Sequence, residues 1–541
     1  MVTPIIKATK GKQTLSFYTD HAFKVWYKDN MYGNWKIKYY KGLGTSTSQE
    51  AREYFKNIEK LVVKFDVDTM TDESMVLAFD KKKADDRKTW LLDTSLKDTT
   101  QLEIPYGNIE RLGISDFVHK DLVNFSMADL KRSIGHVVDG LKPSQRKVLF
   151  ACFHKNLKEE MKVAQLAAYV ADKSAYHHGE VSLADTIVKL ANDYVGSNNI
   201  NMLVPCGQFG TRLMGGKDAS QTRYIFTKLA PEARKMFHAL DEPVLKYMED
   251  DGRTIEPEYY VPVIPMVLVN GTEGIGTGFS SYVPPFNPTD IVKNLERAIR
   301  GMSLVEMTPY FRGFKGTITK DGTSWVAEGV WKHGYKSVTV TELPPGRWTQ
   351  DFKEHLDDLV DKKIIQNYTN NSTIEDVYFE INGYNGDDVI KDFKLRKTIH
   401  TTNMHLFHPD KGIVKYTSPE EILLDFVHIR MEHYKKRKEH LISECEKKAR
   451  LCTHKALFVE MVVNEKLRVF KRKRNELETE MIGHFPMIDG TFDYLLNIRT
   501  YQYTEEAVQE LVRQAAQAEQ DLRDLKKLSH TDLWQMDIKN L

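Results

Sequence analysis

The last quarter of the chain limits its fold more than any other part. Ser418 is an N-cap candidate, Pro419 takes the first helical position, and Glu420 and Glu421 suit a helix's positive end. From there to about Asn475 the sequence is charged and helical. A later stretch repeats Val508, Leu511, Ala515, Ala518, Leu522 and Leu525 at alternating steps of three and four. Such a seam is satisfied only by a second helix packed along it. With a globular insert from about His484 to Leu496 between them, the two helices predict an antiparallel coiled coil capped by a small head. Arms of this kind serve either to dimerise a protein or as an internal hairpin. The runs YKKRK (Tyr434 to Lys438) and FKRKR (Phe470 to Arg474) fall inside these helical stretches and read as charged coil faces.

The remainder has room for separate domains, since 541 residues allow three or four at about 150 each. No apolar run approaches the roughly 18 residues of a membrane span, and MVTPIIKATK has no signal-peptide core. Cys152, Cys206, Cys445 and Cys452 form no CxxC pair, which argues against a disulfide framework or zinc ribbon and for a reducing, intracellular setting. The formal net charge of +1, taken alone, argues against a nucleic-acid partner. Residues 131–228, however, carry 14 Lys+Arg against 8 Asp+Glu, a local excess suited to phosphates.

Texture divides the chain into five segments. Residues 1–60 read as α/β, with β-rich Val2 to Ala8 and Trp35 to Tyr40, and a helix over Ser48 to Lys60 capped by Ser48. Residues 61–118 are a charged, mixed linker containing KKKADDRK from Lys81. Residues 119–284 begin with short helices joined by tight turns, as in a winged-helix module. One helix there, Leu183 to Val195, sets Leu183, Ile187, Leu190 and Tyr194 on a stripe and has a capping box at Ser182 and Asp185. The same segment becomes Gly-rich from Asn198 to Gly278. Residues 285–417 mix a helix (Asp290 to Arg300) with β-like Ser337 to Leu343, and 418–541 form the coiled coil.

Several segments could carry chemistry. KPSQRKVLF starts a helix at Pro143 and sets Arg146 and Lys147 in its first turns, against the macrodipole. This is either a solvated face or a sign of something anionic nearby. SAYHHGE pairs His177 and His178 in a loop without the acids or cysteines of a metal site, leaving phosphate binding or a plain surface loop. In GGKDASQTRYIFT, Arg223 precedes Tyr224 after a flexible approach. A tyrosine phenol, with an ordinary pKa of about 10, attacks a phosphodiester only with cationic help, which guanidinium and imidazole groups supply. Asp66 and Asp68 lack the third acid and glycine of an ion-binding loop, and no P-loop occurs. The glycines Gly274, Gly276 and Gly278 serve tight turns or close backbone approach rather than a dinucleotide.

In order, KYYKGLGTSTSQEAREYF, DGLKPSQRKVLF, YHHGE, GQFGTR, GGKDASQTRYIFT and IPMVLVNGTEGIGTGFS resemble type IIA DNA topoisomerases, most closely the eukaryotic-type topoisomerase II, cellular or viral. The resemblance spans the whole chain. It implies the ATP-hydrolysing enzyme's DNA breakage–reunion core: the end of a TOPRIM domain (1–60), an extension (61–118), a winged-helix cleavage domain (119–284), an α/β tower (285–417) and a coiled-coil dimer gate (418–541). By motif, Tyr224 matches the nucleophile that forms a 5′-phosphotyrosyl link and Arg223 its transition-state stabiliser, while Arg146, His178 and His177 match phosphate-contacting catalytic residues. Ile275 matches the apolar wedge that bends the cleaved DNA, with Gly274 and Gly276 allowing its approach. Lys41, Lys142, Lys147, Lys162, Ser174, Gln208 and Lys217 complete the DNA-contact set that the resemblance implies.

The family's metal-binding acids, a glutamate and a DxDxDG run, lie upstream of VTPIIK, where this chain starts, so no metal ligand is assigned within it. Mg²⁺ and ATP are expected of the full enzyme, with the ATPase and TOPRIM parts supplied in cis or by a separate subunit. The expected partners are double-stranded DNA and a second copy of the chain, with no membrane, in the nucleus of a cell or, for a viral protein, the host nucleus, cytoplasm or virion. The alternative is a dimeric DNA-binding scaffold that does not cleave.

Overall fold

The computed structural model describes residues 1–30, 33–40, 45–95, 104–107, 109–250, 252–488 and 490–541. Strands β1 (Ile6–Lys10), β2 (Gln13–Phe17) and β3 (Lys36–Tyr39) form an antiparallel sheet in the order β2-β1-β3. Ile6 and Ala8 are buried, while the register sets Lys7 opposite Lys38, a like-charge pair that needs neutralising. Helix α1 (Ser48–Lys56) supplies the acids: Glu50 lies 2.8 Å from the Lys38 ammonium and Glu53 3.9 Å from that of Lys7. Burial would raise the Glu50 carboxyl, but hydrogen bonds from Lys38, Tyr40 and Thr47 outweigh it and hold the group at about 2. The cap of α1 is Thr47 rather than Ser48, because Glu50 at the third helical position returns a bond of 2.7 Å to the Thr47 amide. The helical run expected to Lys60 is interrupted at Asn57.

Next, β4 (Lys64–Asp66) pairs in parallel with β5 (Arg111–Gly113); α2 (Thr71–Phe79) and α3 (Ala84–Ser95) come between them in sequence. A π-helical stretch, Phe117–Leu122, leads into α4 (Val123–Ser133). Helices α5 (Pro143–Lys155), α6 (Val163–Lys173) and α7 (Glu180–Ala191) then pack around Val148, Leu166, Val170, Leu183 and Ile187. A short antiparallel pair, β6 (Met161–Lys162) and β7 (Phe226–Thr227), closes this unit. No capping box forms at Ser182 and Asp185, since α7 starts earlier, with Gly179 at its N-cap, and ends before Tyr194. A hairpin follows, β8 (Thr272–Gly276) and β9 (Phe279–Val283), then α8 (Pro288–Ile299).

The fourth segment carries a four-stranded sheet in the order β10-β11-β13-β12, made of β10 (Val330–His333), β11 (Ser337–Glu342), β12 (Asn367–Asn370) and β13 (Phe379–Asn382). Helix α9 (Thr349–Asp361) packs Phe352 and Leu356 onto it. This unit locks to the α5–α7 unit through the buried ion pair Arg212–Glu342 and through Trp348, which occupies the space a side chain at Gly215 would need.

Helix α10 (Pro419–Val463) has 45 residues and so runs about 68 Å. Ser418 caps it and Pro419 takes its first position. Its partner α11 (Glu505–Lys527) is antiparallel, with Thr453 bonded to Glu519 and Lys526 2.7 Å from Glu446. Ala515 and Ala518 are buried in the seam, and Val508 and Leu511 join a head cluster around Phe458, Met481 and Phe485. Lys471 to Lys473 of the FKRKR run lie outside helices, and Arg437 of YKKRK is buried rather than displayed on a coil face. No helix among the described residues is long and apolar enough to cross a membrane.

The root of the coiled coil is tied down by charge and rings. Arg430, fully buried, donates to both Asp241 oxygens at 2.9 and 2.7 Å. Arg437 reaches Asp537 at 2.7 Å on the terminal helix α12 (His530–Lys539). Tyr434 lies between, with the Arg430 guanidinium 3.9 Å from its ring centre and the Trp534 ring stacked at 5.3 Å. Removing one carboxylate strands a buried cation, at a cost of about 3–5 kcal/mol. Asp241→Asn is therefore expected to lower the urea midpoint followed by tryptophan fluorescence, whereas an unshifted midpoint would show that the network contributes nothing.

Candidate active site and nucleic-acid interface

The two cations in the first turns of α5 oppose its dipole, and two buried carboxylates answer them. Asp139 accepts from Arg146 Nε at 2.9 Å and Nη2 at 3.1 Å, from the Leu141 amide at 3.0 Å and from the Tyr260 amide at 2.9 Å. Arg146 also donates to the Leu141 carbonyl at 3.0 Å. It is 5% exposed, and its Nη1 is the end left for a further acceptor. Lys147 lies 2.8 Å from Glu256, itself 1% exposed, and also donates to the Ser174 carbonyl. Of two expected DNA contacts here, one is paired within the protein and the other is corrected. The Lys147 charge is neutralised inside the protein, and Ser174 is fully buried, its hydroxyl bonded to the Val170 carbonyl at the end of α6. Lys142, at the N-cap of α5, remains half-buried; burial, then the nearby Lys189, lower its pKa.

Tyr224 sits in a tight turn, its amide donating to the Gln221 carbonyl at 2.9 Å. The first two amides of α6 hold this turn: Val163 N–H donates to Ile225 O at 3.0 Å and Ala164 N–H to Thr222 O at 3.1 Å. Helix-start amides have no intrahelical acceptor, so an adjoining loop can claim them. Ile225 is buried at 2%, whereas the Tyr224 side chain is 65% exposed, so the backbone is fixed and the phenol faces solvent. The Arg223 guanidinium is 4.9 Å from the Tyr224 ring centre. Lys162, exposed beside the same turn, has its ammonium 5.8 Å from the Phe226 ring centre. Gln208 and Lys217 are exposed on the Gly-rich loop, where the Gln208 carbonyl accepts from Ser220 N–H at 2.9 Å.

The histidine loop follows the other end of α6. Tyr176 N–H bonds to Ala171 O, His177 Nε2 lies 3.3 Å from Asp250, and His178 packs edge-on against Tyr176 at 5.4 Å. The 11-residue α6, about 16 Å long, therefore separates the Tyr224 turn from His177 and His178 in one chain.

Ile275, 79% exposed, projects from the β8–β9 hairpin. Its flanking glycines serve the opposite face. A side chain at Gly274 would collide with the Ser133 carbonyl, and one at Gly276 would meet Leu130 at 2.9 Å, so both let the hairpin lie on α4. Asp129 clamps the turn by accepting from Thr277 N–H and Oγ1, both at 3.0 Å.

Lys41 and the rest of KGLG lie outside the described residues. Asp66 is gripped by Arg111, and Asp68 accepts from Ser115 N–H at 3.1 Å and Oγ at 2.8 Å. These acids are engaged as structural acceptors and do not fit a metal site. No cluster of three or more His, Cys, Asp or Glu able to hold a metal occurs among the described residues. Sequence reading missed Asp139 and Glu256. Asp139 had a signal, as the acid opening DGLKPSQRKVLF; Glu256, over a hundred residues from Lys147, had none.

Comparison with known proteins gives consistent matches. The DNA gyrase/topoisomerase IV family (its A subunit) matches residues 132–541, and the C-terminal associated domain of TOPRIM matches residues 1–130. DNA topoisomerase 2 of Plasmodium falciparum is 40% identical over 100% of this chain and 42% of its own length. That of Saccharomyces cerevisiae is 38% identical over 99% of the chain and 42% of its own length. The crystal structure of the Plasmodium falciparum topoisomerase II DNA-binding, cleavage and re-ligation domain superposes with a TM-score of 0.84 at 41% identity, covering 99% of this chain and 78% of that one. The chain thus spans about two-fifths of the length of these curated relatives.

Behind the Asp139–Arg146 pair, His136 stacks on Tyr259 with ring centres 4.7 Å apart. Burial pushes its pKa down to about 3; Asp139 opposes the shift, and Arg146 and His408 add to it. The ring stays neutral in the fold but takes a proton in the unfolded chain below about 6.5. The stability tied to this group is complete above that value and is lost as pH falls toward 3. His136→Phe, which keeps a ring on Tyr259, should make the acid-side loss of urea stability shallower. An unchanged pH slope would contradict the assignment.

Proposed function

The chain belongs to the type IIA DNA topoisomerase family, and on that premise we propose that it forms the breakage and reunion core of such an enzyme. The observation that carries this reading is Tyr224, exposed on a turn fixed by the α6 amides with a guanidinium beside its ring. A nucleophile must reach a DNA backbone too stiff to enter a pocket, so an exposed side chain on an immobile backbone suits the task.

Tyr224 Oη bonds to the phosphorus and the P–O3′ bond breaks, leaving a 5′-phosphotyrosyl link. The phenol gives up its proton and the departing 3′ oxygen gains one. Arg223 stabilises charge developing on the phosphoryl oxygens. Arg146, oriented by Asp139, has Nη1 to offer a phosphate at the edge of the site. The exposed cations Lys162 and Lys217, with half-buried Lys142, bind flanking phosphates, with Gln208 as a polar neighbour. His177 and His178, at the far end of α6, contact phosphates away from their own chain's Tyr224. Ile275 wedges into a base step and bends the duplex.

The α5–α7 unit is then the winged-helix cleavage domain, the segment with β10–β13 the tower, and the coiled coil the dimer gate. Two copies, each cutting one strand, open a staggered break through which another duplex passes. The metal acids and the ATPase belong to the rest of the enzyme, in cis or on a second polypeptide, working inside the cell wherever its DNA is held. No step at the metal is assigned to this chain's residues.

Tyr224→Phe, tested with duplex DNA, Mg²⁺ and a fragment carrying the acidic motif, should abolish the SDS-stable protein–DNA adduct and leave DNA affinity within about twofold. An adduct that persists in the Phe variant would remove Tyr224 from the chemistry. DNA binding without any adduct from the unaltered chain would favour the non-cleaving scaffold.

A further inference from the structure

The run Lys81-Lys82-Lys83 between α2 and α3 is exposed and not accounted for by the cleavage chemistry. Lys83 lies 2.7 Å from Asp86, while Lys81 and Lys82 have no ion pair among the described residues. A flexible tail of lysines would mean little, but this run is held in place. Asp80 caps its 3₁₀ turn by accepting from Lys82 N–H at 2.8 Å. Arg87 donates to the Leu77 carbonyl at 3.0 Å and to the Asp80 carbonyl at 2.8 Å, tying the end of α2 to the start of α3.

The same Arg87 fixes where the lysines stand. Its stem and the Leu91 side chain each come within 3.2 Å of the Cβ position of Gly278, in the turn of the β8–β9 hairpin. On the other side the turn is clamped by Asp129 through Thr277. The hairpin that displays Ile275 is thus cradled between α3 and α4, with Lys83 one helical turn before Arg87 and Lys81 and Lys82 in the turn that precedes it.

From this juxtaposition we propose that Lys81, Lys82 and Lys83 form a phosphate clamp on the duplex that Ile275 bends, gripping the backbone beside the opened base step. The inference rests on the DNA-binding reading above. An inserted apolar side chain kinks the duplex at the cost of unstacking a base step, and cations beside the kink offset that cost by drawing in the backbone. Lysine suits this, as a point charge on a flexible stem that needs no base-specific geometry.

The test uses the full chain and a short linear duplex, with affinity followed by fluorescence anisotropy across a salt series. Lys81→Gln/Lys82→Gln should weaken binding and make the slope of log K against log salt shallower by about 0.9 for each phosphate no longer neutralised, roughly 2 for the pair. Lys471→Gln/Lys473→Gln, an equal loss of charge in the coiled-coil head, should leave the slope unchanged. Ile275→Ala should reduce DNA bending in a FRET duplex while keeping the slope. An unchanged slope in the Lys81/Lys82 variant overturns the clamp, as does an equal fall in the head variant. Failure of the unaltered chain to bind duplex DNA would instead overturn the functional reading on which the clamp depends.

Discussion

A single buried carboxylate, Asp139, organises the region on which everything else is mounted. Its two oxygens accept four hydrogen bonds: two from Arg146 and one each from the amides of Leu141 and Tyr260. This joins the start of α5 to a stretch of chain more than a hundred residues away. A charge so deeply buried is tolerated only when fully satisfied, so the arrangement permits one geometry. With α5 fixed, α6 and α7 close around the shared core, and the first amides of α6 come to hold the turn of Tyr224. The Tyr224 phenol owes its position to bonds its own side chain does not make.

The same logic recurs at each junction. Arg212 and Glu342 join the sheet-bearing segment to the α5–α7 unit, and Arg430 and Arg437 join the coiled coil to Asp241 and to Asp537 of α12. These pairs lie where elements distant in sequence meet, and Arg212 and Arg430 each engage their carboxylate through two nitrogens, which fixes orientation as well as distance. An apolar cluster that includes Phe153, Met266, Phe426 and Trp534 spans the root of the coiled coil, and the buried arginines fix orientation at the junctions. Such construction suits a protein whose separate parts must keep fixed angles to one another.

Much of this was legible in the sequence because it is local. The cap at Ser418, the heptad seam through Ala515 and Ala518, and the helix start at Pro143 depend on neighbours a few residues apart. The misreadings came where local rules met competition. Ser48 yielded its cap to Thr47, which alone places Glu50 at the third helical position. Arg146 and Lys147 did signal nearby anions, and within the chain Asp139 and Glu256 answer them. Glycines 274 and 276 were rightly tied to close backbone approach, yet the nearer surface is α4. Pairings such as Lys147 with Glu256 leave no periodicity to read, because the fold alone brings them together.

The central claim is that the Tyr224 side chain becomes joined to DNA through a 5′ phosphate. Mass spectrometry of the nuclease-trimmed adduct, formed with Mg²⁺ and the acid-bearing partner fragment, examines that bond directly. The account predicts one modified peptide, spanning Gln221 to Phe226, with a nucleotide 5′-phosphate on Tyr224 and a free 3′ hydroxyl on the other DNA end. A nucleotide on any other residue, or a link through a 3′ phosphate, would contradict it.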